Sequence, residues 1–195
     1  MDPGSPEREK NRFGAGRALS VVIPGWHAAS MARKAQFDHV ALADTLRRQH
    51  NVIGLAEALG CGMSHGALRH RLRPGGPWQI LLPGSYLVYA GLPTVAQREM
   101  AALLYAGPGS AITGIAAARR HGIRAPHTEM IDVLVPSPRK PQSIRLVTVH
   151  RTMRMPERVW ADGAISYVPA ARAVADIARS LTDLSEVRAV VADGV

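Results

Sequence analysis

Residues 61–91, CGMSHGALRHRLRPGGPWQILLPGSYLVYAG, combine a short helix pattern with an apolar run. Ser64 is a favourable helix N-cap, and the helix that it starts ends at the turn Pro74-Gly75-Gly76. Successive residues of a helix are rotated by about 100°, so Leu68 and Leu72 lie on the same side. The sequence therefore predicts a helix that buries this side and leaves the other side in solvent.

The outer side of this helix is basic. His70 points almost directly away from the two leucines, Arg73 and Gly66 nearly so, while Arg69 and Arg71 flank the apolar stripe. The stretch 61–91 contains no Asp or Glu. A cationic outer face without carboxylates is typical of a surface that contacts a polyanion.

Two more helices are predicted before this one. The first begins after the N-cap candidate Asp38 and ends near His50-Asn51, and its apolar face consists of Val40, Leu42, Ala43 and Leu46. The second covers residues 52–60, VIGLAEALG, because apolar residues recur there every three or four positions. Gly60 and Gly62 can end it in a left-handed turn.

The second and third helices together fit a helix-turn-helix. Gly62 is at the turn, Ala58 is the small residue before it, and Cys61 and Met63 are its apolar neighbours. One position departs from the pattern, because the apolar residue expected near position 71 follows one later, at Leu72. A plain pair of antiparallel helices in a core is the alternative interpretation.

The run PWQILLPGSYLVYAG after the third helix predicts a β-hairpin that turns at Pro83-Gly84. Three helices followed by a hairpin is the order of a winged helix. Trp78 and Tyr86 are expected to anchor the hairpin in the core. In a winged helix the third helix enters the major groove and the hairpin lies beside the DNA backbone.

The predicted DNA contacts follow from this arrangement. The third helix would contact base edges or phosphates through its outer face and the backbone through its flanks, and the hairpin would add polar contacts of its own. The residues are Arg69, His70 and Arg73 on the outer face, Ser64 and Arg71 on the flanks, and Gln79 and Ser85 on the hairpin.

The net charge of +9 is concentrated in the middle of the chain. Residues 58–156 contain twelve Lys and Arg against three Asp and Glu, and the remainder is balanced. Such an excess favours nucleic acid as the partner, with an anionic membrane surface or a merely solvated face as alternatives. Cys61 is the only cysteine and no apolar run reaches the length of a membrane span, which indicates a cytoplasmic protein.

Three segments are predicted: a disordered leader over residues 1–37, the winged helix over 38–92 and an α/β domain over 93–195. Met31 is an alternative start of translation. In the last segment we expect helices at 94–106, 110–121, 169–181 and 183–193 and strands at 131–136 and 144–152. Three of the helix starts are marked by polar residues: Thr94 with Glu99, Ser110, and Asp183 with Glu186. The fold class is thus α+β.

Several motifs carry a family resemblance from about residue 38 to about residue 182. They are ALGCGMSHGALRHRLRPGGPWQILLPGSYLV, ALLYAGPGSAITGIAAARRHGI, IDVLVP, VTVHRT and PAARAVADIA. The chain resembles the actinobacterial AbiEi-like proteins, winged-helix regulators and antitoxins of abortive-infection systems. The resemblance implies repression of the protein's own operon, homodimer binding to inverted repeats, and neutralisation of a nucleotidyltransferase-like toxin.

Enzyme chemistry is not indicated by the sequence. His65 and His70 are five residues apart and cannot share a helical face, and Asp132 with Lys140 lacks the second carboxylate of a two-metal nuclease. We therefore expect no enzyme activity, metal or cofactor. Two alternatives to a DNA-binding regulator stay open: a toxin-neutralising protein-interaction module without specific DNA binding, and a truncated relic of a regulator fused to a restriction-endonuclease-like domain.

Overall fold

The computed structural model describes residues 37–180 together with residues 188 and 192. This part of the chain is mixed α+β, with six helices and two sheets. Residues 1–36 of the predicted leader, including the alternative start at Met31, lie outside the described residues. The same holds for the predicted Asp183–Glu186 capping box and, apart from residues 188 and 192, for the helix predicted over 183–193.

The first helix, α1 (His39–Arg48), begins where the sequence predicts it. Asp38 Oδ1 accepts hydrogen bonds from the backbone N–H groups of Val40 (3.0 Å) and Ala41 (2.9 Å), which satisfies two donors of the first turn. The helix is followed by His50 and Asn51, both with positive φ. The prediction that Val40 belongs to the buried face is wrong, because its side chain is 72% exposed.

The helix predicted over 52–60 is only partly correct. Val52–Gly54 is a strand, β1, and the helix α2 covers Leu55–Gly60. Val52 and Ile53 are fully buried, and this strand pairs antiparallel with residues 85–87. Its three residues are β-branched or glycine, so pairing with the hairpin outweighs the helical spacing of the apolar positions.

The helix α3 (His65–Arg71) begins after Ser64 as predicted but ends earlier than expected, because Leu72 is its C-cap and Arg73 lies in the turn that follows. Gly62 forms the turn before it with φ +82°, and Gly60 is the last residue of α2 rather than part of the turn. A small core joins the helices through a set of buried side chains, namely Ile53, Ala58, Met63, Leu68, Trp78 and Tyr86, with Phe37, Leu42, Leu46 and Leu72 packed around it. Trp78 and Tyr86 are anchors of the hairpin, as predicted.

The predicted hairpin is present as β2 (Gln79–Leu82) and β3 (Ser85–Leu87). Its turn is Pro83-Gly84, and Gly84 takes φ +76°, a conformation that residues with a Cβ rarely adopt. The first sheet is antiparallel with the order β1-β3-β2, so β2 is an edge strand.

The described residues after the hairpin form a second sheet and three helices. Its elements are α4 (Val95–Ala106), β4 (Ala111–Thr113), α5 (Gly114–Arg120), β5 (Ile131–Pro136), β6 (Val147–Thr152), β7 (Trp160–Asp162), β8 (Ile165–Tyr167) and α6 (Ala170–Ser180). The strand order is β6-β5-β4-β8-β7, with β5 parallel to β6, β4 parallel to β8, and the other pairs antiparallel.

Three predictions in this region need correction. Ser110 does not start a helix, because the next three residues form β4 between β5 and β8. Thr94 is the N-cap of α4 as predicted, with Gln97 as its capping-box partner, but Glu99 lies beyond the first turn and is buried. The strand predicted from residue 144 begins at Val147, since residues 144–147 form a tight turn.

The helix α4 packs against both sheets. The larger core accordingly includes Val52, Leu82 and Leu87 of the first sheet as well as α4 and the second sheet. All described elements fall within one compact unit. The division at residues 92 and 93 stays a prediction.

Candidate nucleic-acid interface

Three of the predicted contact residues are exposed to solvent: Arg69 and His70 of α3, and Arg73 just after the helix. Leu68 is 4% exposed and Leu72 is half-buried. Within α3, the rotation of about 100° per residue separates the buried from the exposed side chains as predicted. Arg73 follows the C-cap Leu72 and lies in the turn rather than on the helix. The outer face of α3 is cationic and accessible.

His70 and Arg73 form a pair on this face. Arg73 Nη1 donates a hydrogen bond to His70 Nε2 over 2.5 Å. Neither Arg69 nor Arg73 forms an ion pair with another residue of the range 37–180.

Arg71 occupies a different environment. Its guanidinium carbon lies 5.6 Å from the ring centroid of Trp78 and 5.8 Å from that of Phe37, within the range of a cation–π contact. Its Nη1 also donates to the carbonyl oxygen of Ala67 over 3.1 Å. Arg71 therefore covers the small core. The guanidinium N–H groups that do not bind Ala67 can donate hydrogen bonds to a ligand.

Ser64 combines a structural role with exposure. Its Oγ accepts a hydrogen bond from the backbone N–H of Ala67 over 3.1 Å and so caps α3. The residue is exposed, and its hydroxyl hydrogen can still be donated. A backbone contact from Ser64 is geometrically compatible with its role as a cap.

The two hairpin residues do not have the geometry predicted for them. Gln79 Nε2 donates to the carbonyl oxygens of Tyr89 (3.0 Å) and Gly91 (2.7 Å), so its amide holds the chain after the hairpin. Ser85 is fully buried, and its Oγ donates to the carbonyl oxygen of Ala101 over 3.2 Å. Ser85 cannot reach a phosphate because α4 covers it. Gln79 has both amide hydrogens engaged.

A groove of about 560 Å³ lies between α3 and the hairpin. Its apolar lining consists of Leu55, Leu68, Leu72, Pro74, Ile80 and Tyr86, and its polar lining of His65, Arg69 and Arg73. Ile80 is 55% exposed and was not among the predicted contacts. No local signal indicates this exposure, because Ile80 stands in an apolar run and pairs across the hairpin with the buried Tyr86.

A buried acid lies outside this face, on α4. Glu99 is 6% exposed and accepts a hydrogen bond from the Tyr167 hydroxyl over 2.7 Å. Burial raises the pKa of Glu99, and the Tyr167 hydrogen bond together with nearby Arg120 opposes part of this rise. The pKa of Tyr167 is raised as well, first by burial and then by the acceptor that Glu99 provides.

Three findings concern metal binding, membrane insertion and similarity to known proteins. Within the described residues, no group of three or more His, Cys, Asp or Glu is arranged to hold a metal ion. No helix of this part of the chain combines the length and apolar character needed to cross a membrane. Neither a protein-family model nor a curated protein sequence matches this chain significantly.

Proposed function

We propose that this protein is a sequence-specific transcriptional regulator that binds double-stranded DNA through α3. The observation that carries the proposal is the exposed Arg69 and His70 on the outer face of a capped helix, with the exposed Arg73 directly after it, in a stretch of 31 residues without a carboxylate. Arginine reads guanine edges and phosphates through paired N–H donors, which suits such a face to the major groove.

The arrangement around α3 supports a winged helix as the framework of this proposal. Three helices are joined to a three-stranded antiparallel sheet. Along the chain, β1 comes between the first two helices, and β2 and β3 form the hairpin after the third. In this proposal Ser64 and Arg71 contact the DNA backbone from the flanks of α3. The exposed Ile80 of the hairpin would contact sugar or thymine methyl groups beside them.

We further propose that the regulator acts in the cytoplasm as an AbiE-like antitoxin that represses its own operon. This step rests on the resemblance of motifs such as CGMSHGALRHRLRPGG and LLPGSYLV to those of AbiEi-like proteins. It implies a nucleotidyltransferase-like toxin as the partner and two copies of the chain on each inverted repeat. The DNA-binding part of the proposal does not depend on it.

The first experiment is a salt-titrated binding assay with the full chain. Fluorescence anisotropy would compare duplex DNA from the protein's own promoter with a scrambled duplex of the same composition. We expect the promoter to be preferred by roughly a thousandfold, with affinity that falls steeply as salt rises. Equal, weak binding of both duplexes would contradict a specific regulator and favour the protein-interaction module.

The antitoxin step has its own test. A nucleotidyltransferase-like gene from the same operon would be expressed with and without this chain in a host that lacks both. Restored growth with the wild-type chain, and no restoration with a frameshifted copy, is the expected result. Unrelieved growth arrest would contradict the antitoxin role and leave the DNA-binding proposal as it is.

A further inference from the structure

A cleft of about 270 Å³ lies where the hairpin meets the second sheet, and it shares only Ile80 with the groove beside α3. It is bounded by the strand β2, by α4 and by the turn before β6. Its lining is largely apolar, and its polar groups are the Gln79 side chain and the two guanidinium groups of Arg98 and Arg145. No carboxylate contributes to this lining.

The backbone at Arg145 is unusual for its residue type. Arg145 has φ +51°, in the left-handed region that favours glycine. Arg145 and Leu146 form the tip of a two-residue turn in which Ile144 and Val147 exchange both backbone hydrogen bonds, each 2.9 Å long. A residue with a Cβ at such a position costs about 1 kcal/mol or more, and strain of this kind clusters at ligand-binding positions.

Both arginines lack an acidic partner at close range. Among residues 37–180 neither Arg98 nor Arg145 forms an ion pair, although Arg98 is one of the charges that oppose the rise of the Glu99 pKa. Arg98 is half-buried, and Arg145 is exposed at the cleft mouth. Two positive charges beside an apolar cleft complement a ligand with one negative end.

We propose that this cleft binds a small organic carboxylate with an apolar body. Arg145 and Arg98 hold the carboxylate through charge-assisted hydrogen bonds, and the apolar body packs on Leu81, Ile131 and Val147. The volume is close to the lower end for small-molecule sites, which fits a body the size of a medium-length acyl chain. The inference does not depend on DNA binding.

Octanoate is the probe, measured by isothermal titration calorimetry with the full chain. We expect a Kd below about 1 mM for octanoate, and binding at least about tenfold weaker for 1-octanol, which lacks the charge, and for acetate, which lacks the apolar body. Failure of octanoate to bind at millimolar concentration, or equal binding of 1-octanol, would overturn the proposal.

The variant Arg145→Gly separates ligand binding from folding. Glycine adopts the positive φ of this turn without strain, so we expect no decrease in the thermal midpoint and an octanoate affinity about tenfold weaker. Arg151→Ala is the matched control, because it removes one positive charge from β6 outside the cleft lining and should leave octanoate binding unchanged. Unchanged affinity in Arg145→Gly, or an equal loss in the control, would refute the assignment.

Discussion

Two kinds of arginine in α3 and the turn after it can be separated by mutation. Arg69 on the helix and Arg73 in the turn are exposed, whereas the guanidinium carbon of Arg71 lies 5.6 and 5.8 Å from the ring centroids of Trp78 and Phe37. We therefore expect Arg69→Ala and Arg73→Ala to weaken DNA binding without affecting folding. Arg71→Ala is expected to lower the free energy of unfolding.

The magnitudes follow from these environments. Each exposed arginine that neutralises a phosphate contributes about one to the slope of log affinity against log salt, so the double variant at Arg69 and Arg73 should lower that slope by about two. Exposed substitutions of this kind change the free energy of unfolding by less than about 0.5 kcal/mol. Removing the two ring contacts of Arg71, each about 0.5–1 kcal/mol when partly solvated, should cost about 1–2 kcal/mol.

The assay pairs urea denaturation with salt-titrated anisotropy on the promoter duplex. Arg158→Ala, which removes an exposed arginine outside α3 and the hairpin, is the control for net charge. The reasoning is refuted if Arg69→Ala and Arg73→Ala keep the wild-type salt slope. It is equally refuted if Arg71→Ala unfolds at the same urea concentration as the wild type.

Three further predictions test individual contacts. Ser85→Ala removes the buried hydrogen bond to α4 and should cost about 1 kcal/mol in urea denaturation, with unchanged DNA affinity; weaker DNA binding would restore Ser85 as a contact. The raised pKa of Glu99 means that the folded protein holds this proton more tightly than the unfolded chain. The protonated carboxyl group therefore contributes its full stabilisation of the folded state below the unfolded pKa near 4.5, and this stabilisation is lost as pH rises through the folded pKa. We expect the urea midpoint of the wild type to fall relative to that of Glu99→Gln as pH rises above 4.5. A constant difference between the two proteins at all pH values would argue against it. Gly114→Ala should lower the free energy of unfolding by at least about 1 kcal/mol, because Gly114 has φ +62° and a Cβ would lie 2.7 Å from Asp132 Oδ2; unchanged thermal unfolding would contradict this.

The sequence predicts the helices and the hairpin well where local signals agree. Asp38, Ser64 and Thr94 each cap the helix predicted after them, and Pro83-Gly84 forms the predicted turn. These signals depend on side chains within four residues of the element that they define. Local chemistry was therefore enough to place them.

Four strands were not predicted, namely β1, β4, β7 and β8, and the first two of them lack a local signal. β1 and β4 have three residues each and are buried on every side, so the alternation that marks a half-exposed strand is absent. Both are paired with partners more than fifteen residues away in the sequence. The spacing of their apolar residues also fits a helix, which is why residues 52–54 and 111–113 were assigned to helices.

At the candidate site, too, local signals predict the helix but not the contacts between distant segments. The rotation of α3 follows from the sequence, and Arg69, His70 and Arg73 are exposed as expected. The burial of Ser85 depends on the packing of α4 against the hairpin, a contact between segments that no local pattern announces. Polarity alone therefore misassigned Ser85 as a surface donor.

The departure from the helix-turn-helix pattern at position 71 has a physical explanation in the structure. The seven-residue helix α3 contributes Leu68 and the small Ala67 to the small core, and its C-cap Leu72 packs beside them, while the rings of Phe37 and Trp78 lie next to position 71. Arg71 covers both rings with its guanidinium and aliphatic stem, so a cation stands where an apolar side chain is expected. A leucine at position 71 would bury the same rings but remove a charge next to the outer face. The arginine therefore keeps the small core covered and adds a positive charge next to the outer face of α3.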